Sequence, residues 1–361
     1  RGSAGAQGLA KQVGPWPEKK CAGAREDRLG QSAFSRCAHQ RVIPLLESIL
    51  TRLTRVRVLF AGSPDAALPC LRALVEAGVQ VVGVLTQPAR PVGRKRVLTP
   101  TPVESFAHEQ GLAVFTPSSP EETSAALKAC SPDVAIVVAY GRLLDQTALE
   151  ALPQGWWNVH FSLLPRWRGA APVAHAIVQG DRETGISLFR LEKGLDTGPI
   201  ASMSRVPIAA HDTTGTLLTK LAARAPAMAL ELLADVASQS VSLSEQTGDV
   251  TLAPKPLSED GKIVWSQPWE RVYQQFRAMT PEPGAYAQRS DTSDRVNILE
   301  MTPATGEAAM APGSLRVGDE GILVGTASDP VTLRMVKPAG KNQMKALDWF
   351  RGLPNGVTLV D

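Results

Sequence analysis

The hydrophobic pattern of this chain becomes regular at residue 56. Short continuous apolar runs there alternate with segments of helical periodicity, which predict strands over 56–61, 79–86, 112–115 and 134–139 and helices over 66–77, 103–110 and 120–129. Asp65 is the expected N-cap of the first helix. Strands that alternate with helices are typical of a parallel sheet, and runs apolar at every position indicate strands covered on both faces.

The pattern changes again beyond residue 170. It predicts a helix over 170–179, paired strands over 184–191 and 199–206, and one long Ala/Leu helix over 213–240. A polar, Gly- and Pro-bearing stretch follows. Then come short predicted strands over 262–265, 285–287, 296–301, 313–317, 321–326 and 331–336. Several short strands within about 100 residues indicate a small barrel.

These changes predict four parts: an N-terminal extension (1–55), an α/β domain (56–241), a linker (242–258) and a barrel domain (259–361). The extension holds ten Lys and Arg against four Asp and Glu, although the whole chain carries a net charge of only +3. It fits a transit peptide, an accessory tail, or upstream sequence joined through a wrong start assignment. We favour the last interpretation and expect most of residues 1–50 to be disordered.

The cysteines and the apolar runs bound the class of protein. The four cysteines, Cys21, Cys37, Cys70 and Cys130, form no CxxC pair, so their spacing predicts neither a metal site nor a disulfide framework. No apolar run is long enough to predict a membrane span. A bacterial-type cytoplasmic protein is the simplest expectation, and the extension leaves organellar import open.

The strongest chemical signal lies in the middle of the chain. Asn158 and His160 end an apolar run, a Pro/Arg/Gly-rich stretch follows, and Asp196 lies downstream between two glycines. An amide and an imidazole can donate to a developing oxyanion, and a carboxylate can fix the imidazole tautomer and accept a proton. Strand ends of open α/β sheets are where ligands bind. A structural histidine and a turn-capping asparagine are the plainer alternative for either residue alone.

The string from Asn158 to Pro172, with Asp196, resembles the folate-dependent formyltransferases. The resemblance implies a Rossmann-like parallel-sheet domain followed by an OB-like barrel, with 10-formyltetrahydrofolate as formyl donor and no metal. It implies that Asn158, His160 and Asp196 are catalytic. The residues that it places at the folate are Tyr140, Gly141, Ser162, Leu163, Leu164 and Pro165, with a core role as the alternative for Tyr140. Phe161 stands where many relatives carry glycine, and its ring could narrow the pocket or alter the loop backbone, but the departure is expected to be tolerated.

A cationic segment over 87–96 is too irregular and too charged for a buried element, so it is either a solvated loop or an RNA-contacting arm. The resemblance is closest to family members that formylate initiator methionyl-tRNA, in which an insertion loop here reaches the acceptor arm. It therefore implies tRNA contacts by Arg94, Lys95 and Arg96. A basic edge of the barrel adds Lys337, Lys341 and Lys345, beside Arg334 and Arg351.

The expected function is therefore formyl transfer to the methionine of initiator tRNA by a monomer. Two alternatives stay open. One is a related formyltransferase that acts on an amino sugar or another small amine, although such an acceptor needs neither the cationic segment nor the barrel. The other is a non-catalytic RNA-binding module, which does not account for the intact set Asn158, His160 and Asp196.

Overall fold

The structure is a computed structural model that describes residues 56–93 and 96–361. The expectation for residues 1–50 lies outside the described residues. The first strands in chain order are β1 (Arg57–Gly62), β2 (Gln80–Leu85), β3 (Arg90–Val92), β4 (Val97–Thr99), β5 (Val114–Phe115), β6 (Val134–Val138), β7 (Trp156–His160), β8 (Glu183–Arg190) and β9 (Ile200–Pro207). Most of them build one seven-stranded sheet in the order β5-β2-β1-β6-β7-β8-β9.

The sheet is parallel from β5 to β7, as the alternating pattern predicts. Its central strands are covered on both faces. Val58 and Phe60 of β1 enter one apolar core, whereas Leu59 and Ala61 enter the other. Because the parallel strands end at the same edge, the carboxyl ends of β1, β6 and β7 lie together there. His160 is the last residue of β7 and therefore lies on this edge.

Strands β8 and β9 continue the sheet in the opposite sense. β8 is antiparallel to β7, and β9 is antiparallel to β8. The turn between β8 and β9 carries Asp196. Because β8 runs antiparallel to β7, its last residue, Arg190, lies opposite Trp157 rather than opposite His160. The turn that follows (residues 194–198, the Asp196 loop) folds back toward His160 and brings Asp196 close to it.

Helices cover the sheet. They are α1 (Leu68–Glu76), α2 (Pro102–Glu109), α3 (Pro120–Cys130), α4 (Gln146–Glu150), α5 (Pro172–Val178), α6 (Thr214–Ala222) and α7 (Ala225–Ser238). The expectation of one helix over 213–240 is wrong. The chain breaks between α6 and α7, and Pro226 lies in the first turn of α7. Proline has no N–H, so within one continuous helix it would remove a hydrogen bond, whereas in a first turn it removes none.

Two smaller expectations are corrected in the same domain. Asp65 does not cap α1, because it opens a 3-10 turn (Asp65–Ala67) and the helix proper begins at Leu68. The cationic segment is not irregular: β3 and β4 pair as an antiparallel hairpin, with Arg90 opposite Thr99 and Val92 opposite Val97. Its one proline, Pro91, is tolerated because each strand of an isolated two-stranded ribbon has an unpaired edge.

The C-terminal part contains α8 (Trp269–Ala278) and α9 (Ala346–Arg351). Its strands are β10 (Tyr286–Arg289), β11 (Arg295–Pro303), β12 (Leu315–Val317), β13 (Ile322–Val324), β14 (Val331–Pro338), β15 (Met344–Lys345) and β16 (Leu359–Val360). They form an antiparallel sheet in the order β12-β13-β14-β11-β10-β16. Its two ends approach each other, since Leu359 N donates to Gly313 O at 2.8 Å, so the sheet is a nearly closed barrel.

The predicted fold class is thus confirmed, although one expected strand of the barrel is absent and two short strands, β15 and β16, were not predicted. The strand expected over 262–265 does not form, and only Lys262 makes a single bridge, to Tyr286. Helix α8, which the periodicity analysis did not identify, packs against α5 and joins the barrel to the α/β domain through a shared apolar core. Within the described residues, every helix is too short or too polar to cross a bilayer.

Candidate active site

The end of β7 presents Asn158 and His160 on the same side of the sheet. Side chains alternate along a strand, so the intervening residues face the opposite side. Trp157, Val159 and Phe161 are accordingly buried in the apolar core of that opposite face. His160 is only 5% exposed, whereas Asn158 is half-buried. The strand therefore delivers an amide and an imidazole to one place, as the spacing of the two residues predicts.

The ring of Phe161 lies in the apolar core and not at the mouth of the site. Its ring is 6% exposed and packs in the apolar core, away from the face that carries Asn158 and His160. The residue also does not have the positive φ that a glycine would tolerate there. The site therefore accommodates Phe161 without a narrowed pocket or a distorted loop, in agreement with the expectation that this departure is tolerated.

The tautomer of His160 is set by a backbone carbonyl. Nε2 of His160 lies 2.8 Å from Trp167 O, and because a carbonyl oxygen only accepts, Nε2 is the nitrogen that carries hydrogen. In the neutral ring Nδ1 is then the free base. The sequence-based expectation gave this orienting role to Asp196. Its carboxylate instead faces Nδ1, with Oδ2 at 3.8 Å, which is too long for a hydrogen bond.

Burial lowers the pKa of His160 below its ordinary value, while the nearby Asp196 carboxylate and the hydrogen bond to Trp167 oppose that change. The ring is therefore neutral at neutral pH, and Nδ1 is ready to accept a proton. Once it does, the carboxylate 3.8 Å away stabilises the imidazolium. The arrangement is that of a general base with an adjacent counter-charge.

Asp196 is held in an uncommon backbone conformation. Its φ is +50°, in the left-handed region that non-glycine residues seldom adopt. Asp196 Oδ2 accepts a hydrogen bond from Gly169 N at 2.7 Å, which aims the carboxylate across the site. Such a conformation costs on the order of 1–3 kcal/mol and persists only where the surroundings hold it. Gly169 itself has φ +122° and lies against Ala253 O, where a Cβ would come within 2.8 Å.

The stretch after His160 (residues 162–171, the 162–171 loop) is fixed largely by internal hydrogen bonds. Ser162 Oγ donates to Arg166 O at 2.6 Å. Ser187 of β8 donates to Ser162 O at 2.8 Å and accepts from Leu164 N at 3.0 Å. The loop is therefore tied to the neighbouring strand on one side of the site.

The linker ties the same loop on its other side. Thr251 Oγ1 accepts from Trp167 N at 2.8 Å, and Thr251 O accepts from Arg168 N at 2.9 Å. Ala253 N donates to Arg168 O at 2.8 Å. The composition of this stretch predicts only a polar connection, so these residues were not predicted to contact the site. No periodic pattern marks them, because the contacts are to main-chain groups about eighty positions away.

The residues expected at the folate are placed unevenly. Tyr140 is 3% exposed and packs in the second apolar core, which is the core role weighed as its alternative. Gly141 is exposed with φ +77°. Of the four residues that follow Phe161, Leu163 is half-buried, whereas Ser162, Leu164 and Pro165 are buried. Burial leaves backbone groups and Leu163, rather than the Ser162 hydroxyl, to face a ligand, and their contact with folate stays a prediction.

Those residues expected at tRNA that the structure describes fall in two hairpins. Arg94 and Lys95 lie outside the described residues. Arg96 is exposed at the start of β4, with φ +49°. The other three residues are exposed on the hairpin that joins β14 to β15: Lys337, Lys341 and Lys345. The neighbouring Arg334 and Arg351 form ion pairs with Glu320 and Asp348, so these two arginines add less to the basic edge than the lysines.

No cluster of three or more His, Cys, Asp or Glu side chains is arranged to hold a metal ion in the part of the chain that the structure describes. The cysteines described, Cys70 and Cys130, are buried and unpaired. Burial raises the pKa of Cys70 to about 12, so its thiol stays protonated and unreactive.

Comparison with known proteins defines the class to which this fold and site belong. A family model described as formyl transferase matches residues 54–233, and one described as formyl transferase, C-terminal domain, matches residues 257–354. The chain belongs to the formyl transferase family, and the resemblance drawn from the central string is confirmed. The two matched regions leave residues 234–256 between them.

The curated relatives share one named activity within this family. The chain is 44% identical over 298 residues to the methionyl-tRNA formyltransferase of Arthrobacter sp. (strain FB24), a match that covers 82% of this chain and 97% of that protein. It is 45% identical over 299 residues to that of Renibacterium salmoninarum, with the same coverage. The alternative of a non-catalytic RNA-binding module is not supported, because the relatives are named as enzymes over almost their whole length.

Solved structures share the fold at low identity. HypX from Aquifex aeolicus, in complex with tetrahydrofolic acid, superposes with a TM-score of 0.60 at 17% identity over 83% of this chain and 48% of that chain. An N-formyltransferase from Helicobacter canadensis, with folinic acid and dTDP-3-aminofucose, superposes with a TM-score of 0.59 at 16% identity over 77% of this chain and 98% of that one. These matches establish the fold alone.

Proposed function

We propose that this chain transfers the formyl group of 10-formyltetrahydrofolate to the α-amine of methionine on initiator methionyl-tRNA. The observation that carries the proposal is the neutral, buried His160 whose free Nδ1 faces Asp196 at 3.8 Å, beside Asn158 on the same strand. The curated relatives supply the acceptor, since the protein from Arthrobacter matches over 97% of its own length.

In this mechanism the α-amine attacks the formyl carbon and a C–N bond forms. His160 Nδ1 accepts the proton that the amine gives up, and Asp196 stabilises the imidazolium that results. Asn158 donates to the oxyanion of the tetrahedral intermediate, joined by the protonated Nδ1. The bond from the formyl carbon to N10 of the folate then breaks, and the imidazolium returns its proton to that nitrogen. Tetrahydrofolate leaves as the neutral amine.

Two exposed leucines in loops that follow strands of the sheet support a folate site. Leu143, two residues after Gly141, is 94% exposed, and Leu195 of the Asp196 loop is 53% exposed. Apolar side chains left open next to polar backbone groups suit a flat heterocycle with a hydrogen-bonding edge. The Helicobacter canadensis enzyme, whose solved structure contains folinic acid, shares the fold and supports a folate ligand here.

The tRNA would be held by charge on two separate hairpins. Arg96 on the β3–β4 hairpin and the lysines of the β14–β15 hairpin are exposed, as phosphate contacts require. A small amino sugar would need neither hairpin. A monomeric state and a cytoplasmic location stay predictions, which light scattering and fractionation of the native cells check.

The function is tested by incubating the purified full chain with 10-formyltetrahydrofolate and charged tRNA. Formylmethionine should form on initiator methionyl-tRNA, and His160→Ala should abolish it while the unfolding temperature stays within a few degrees of the parent. His108→Ala, the same substitution at an exposed histidine of α2, is the matched control and should retain full activity. Absence of transfer to initiator tRNA, with transfer to an amino sugar nucleotide instead, would overturn the proposal.

A further inference from the structure

The linker places one side chain between the two loops that carry the proposed catalytic groups. Gln246 Nε2 donates to Asp196 O at 2.7 Å and to Gly198 O at 2.8 Å. Its Oε1 accepts from Arg168 Nε at 3.1 Å and from Arg168 Nη2 at 2.6 Å. One amide therefore uses both of its donors and its acceptor to connect the Asp196 loop with the 162–171 loop.

These contacts close a ring around the carboxylate. Asp196 binds Gln246 through its carbonyl oxygen, and Gln246 binds the side chain of Arg168. The residue after Arg168 is Gly169, whose N–H returns to Asp196 Oδ2. The ring fixes both ends of a residue at φ +50°, a conformation that persists only where several contacts oppose its relaxation.

Gln246 is itself well anchored. Ser244 exchanges main-chain hydrogen bonds with Ile200 at the start of β9, at 2.8 and 2.9 Å. On the other side, Thr251 and Ala253 pair with the main chain of Arg168. Gln246 is half-buried between these two attachments, so its amide is held in place rather than free to follow the loops.

We propose that Gln246 is a positioning residue for formyl transfer, which holds the Asp196 carboxylate against His160 Nδ1 by locking the Asp196 loop to Arg168. The proposal rests on the proposed function for its kinetic consequence. Gln246 touches no reacting group. It lies in the stretch 234–256 that neither family match includes. Loss of the amide should let the Asp196 loop relax and move the carboxylate away from the ring.

Two substitutions separate the hydrogen bonds of Gln246 to Arg168 from those to the Asp196 loop. Gln246→Met keeps the length of the side chain and loses every hydrogen bond, whereas Gln246→Glu keeps the acceptor for Arg168 and loses both donors to the Asp196 loop. A misplacement of about 1 Å can cost on the order of a hundredfold in rate. Both variants should lower kcat about ten- to a hundredfold, with KM for both substrates within about twofold of the parent. The same substitutions at Gln110, an exposed glutamine at the end of α2, are the matched controls and should change neither constant.

A double-mutant cycle shows whether the effect passes through Asp196. In an Asp196→Asn background the Gln246→Met substitution should add little further loss of kcat, since the charge that it positions is already gone. Fully multiplicative losses would overturn the proposal. If Gln246→Met does not fold, Gln246→Glu takes its place in the cycle, with the same two outcomes.

A readout without substrate keeps the proposal apart from the proposed function. In NMR titration of His160, the opposing contribution of Asp196 should weaken in Gln246→Met, so the pKa of His160 should be lower than in the parent. An unchanged titration would overturn the positioning role. If the parent chain forms no formylmethionyl-tRNA, the proposed function fails, yet the titration still decides for or against Gln246.

Discussion

Asp196→Asn removes one charge from the centre while leaving its shape in place. The amide oxygen of asparagine can still accept from Gly169 N, which donates to Asp196 Oδ2 at 2.7 Å in the parent, so the loop has no reason to move. The substitution therefore isolates the electrostatic support that the carboxylate gives to His160. We expect a large loss of kcat and a small change in stability.

The size of the loss follows from the geometry. A unit charge about 4 Å from another interacts with it by about 4 kcal/mol at an effective dielectric constant of about 20. The Oδ2 to Nδ1 separation is 3.8 Å, and the two side chains are 6% and 12% exposed, which is the partly buried setting for which that value is suited. A loss of up to about 4 kcal/mol is about three pKa units and about a thousandfold in rate.

The assay is the steady-state rate of formyl transfer at saturating substrates, together with NMR titration of the His160 ring. The pKa of His160, already lowered by burial, should fall further in Asp196→Asn because the opposing carboxylate is gone. Asp249→Asn makes the same chemical change on the exposed surface of the linker and should leave both measurements unchanged. A kcat within about threefold of the parent, or an unmoved titration, would refute the electrostatic argument.

Further outcomes follow from single features of the site. Asn158→Ala should lower kcat about a hundred- to a thousandfold, and a near-normal kcat would remove this donor from the oxyanion. Gly169→Ala should lower the unfolding temperature in calorimetry more than Gly78→Ala does. Both glycines have positive φ, but only at Gly169 would the new Cβ lie 2.8 Å from a carbonyl oxygen of the linker, so equal shifts would contradict the clash. Lys341→Ala should reduce the salt slope of tRNA binding by about one unit, and an unaltered slope would mean no phosphate contact. As the pH falls below 6.5, the ordinary pKa of histidine, His160 gains a proton in the unfolded chain but not in the folded one, because burial lowers its pKa there. The free energy of unfolding should therefore fall with pH, and it should fall less in His160→Gln. Identical pH profiles for the two proteins would count against the lowered pKa.

The parts of the fold that the sequence predicted correctly depend on local patterns. The continuous apolar runs identified the strands β1, β2 and β6, because burial on both faces leaves their interior positions apolar. The end of β7 followed from the apolar run that Asn158 and His160 close. The paired strands around Asp196 also followed from their own patterns.

The parts that were wrong or missed depend on contacts between distant residues or on competing local effects. The interruption before Pro226 was overlooked because Ala and Leu periodicity continues on both sides of it. The hairpin of β3 and β4 carries a proline and several cations that favour irregular structure, yet the two strands pair. His160 is oriented by the Trp167 carbonyl, and a backbone group leaves no signature in the amino-acid pattern.

The linker contacts also determine how far this enzyme can be divided. The two family matches, 54–233 and 257–354, suggest two exchangeable domains joined by a spacer, residues 234–256. Yet the spacer supplies the hydrogen-bond partners of Trp167 and Arg168, next to the proposed catalytic centre. A chain ended at the first domain would leave those polar groups without partners. A chimera that replaced the spacer by a flexible tether would lose its reaction centre even with both domains intact. The part of the chain that must stay together is therefore the α/β domain with the linker as far as Ala253, and an exchange of the barrel between relatives should keep activity only where the junction lies beyond that residue.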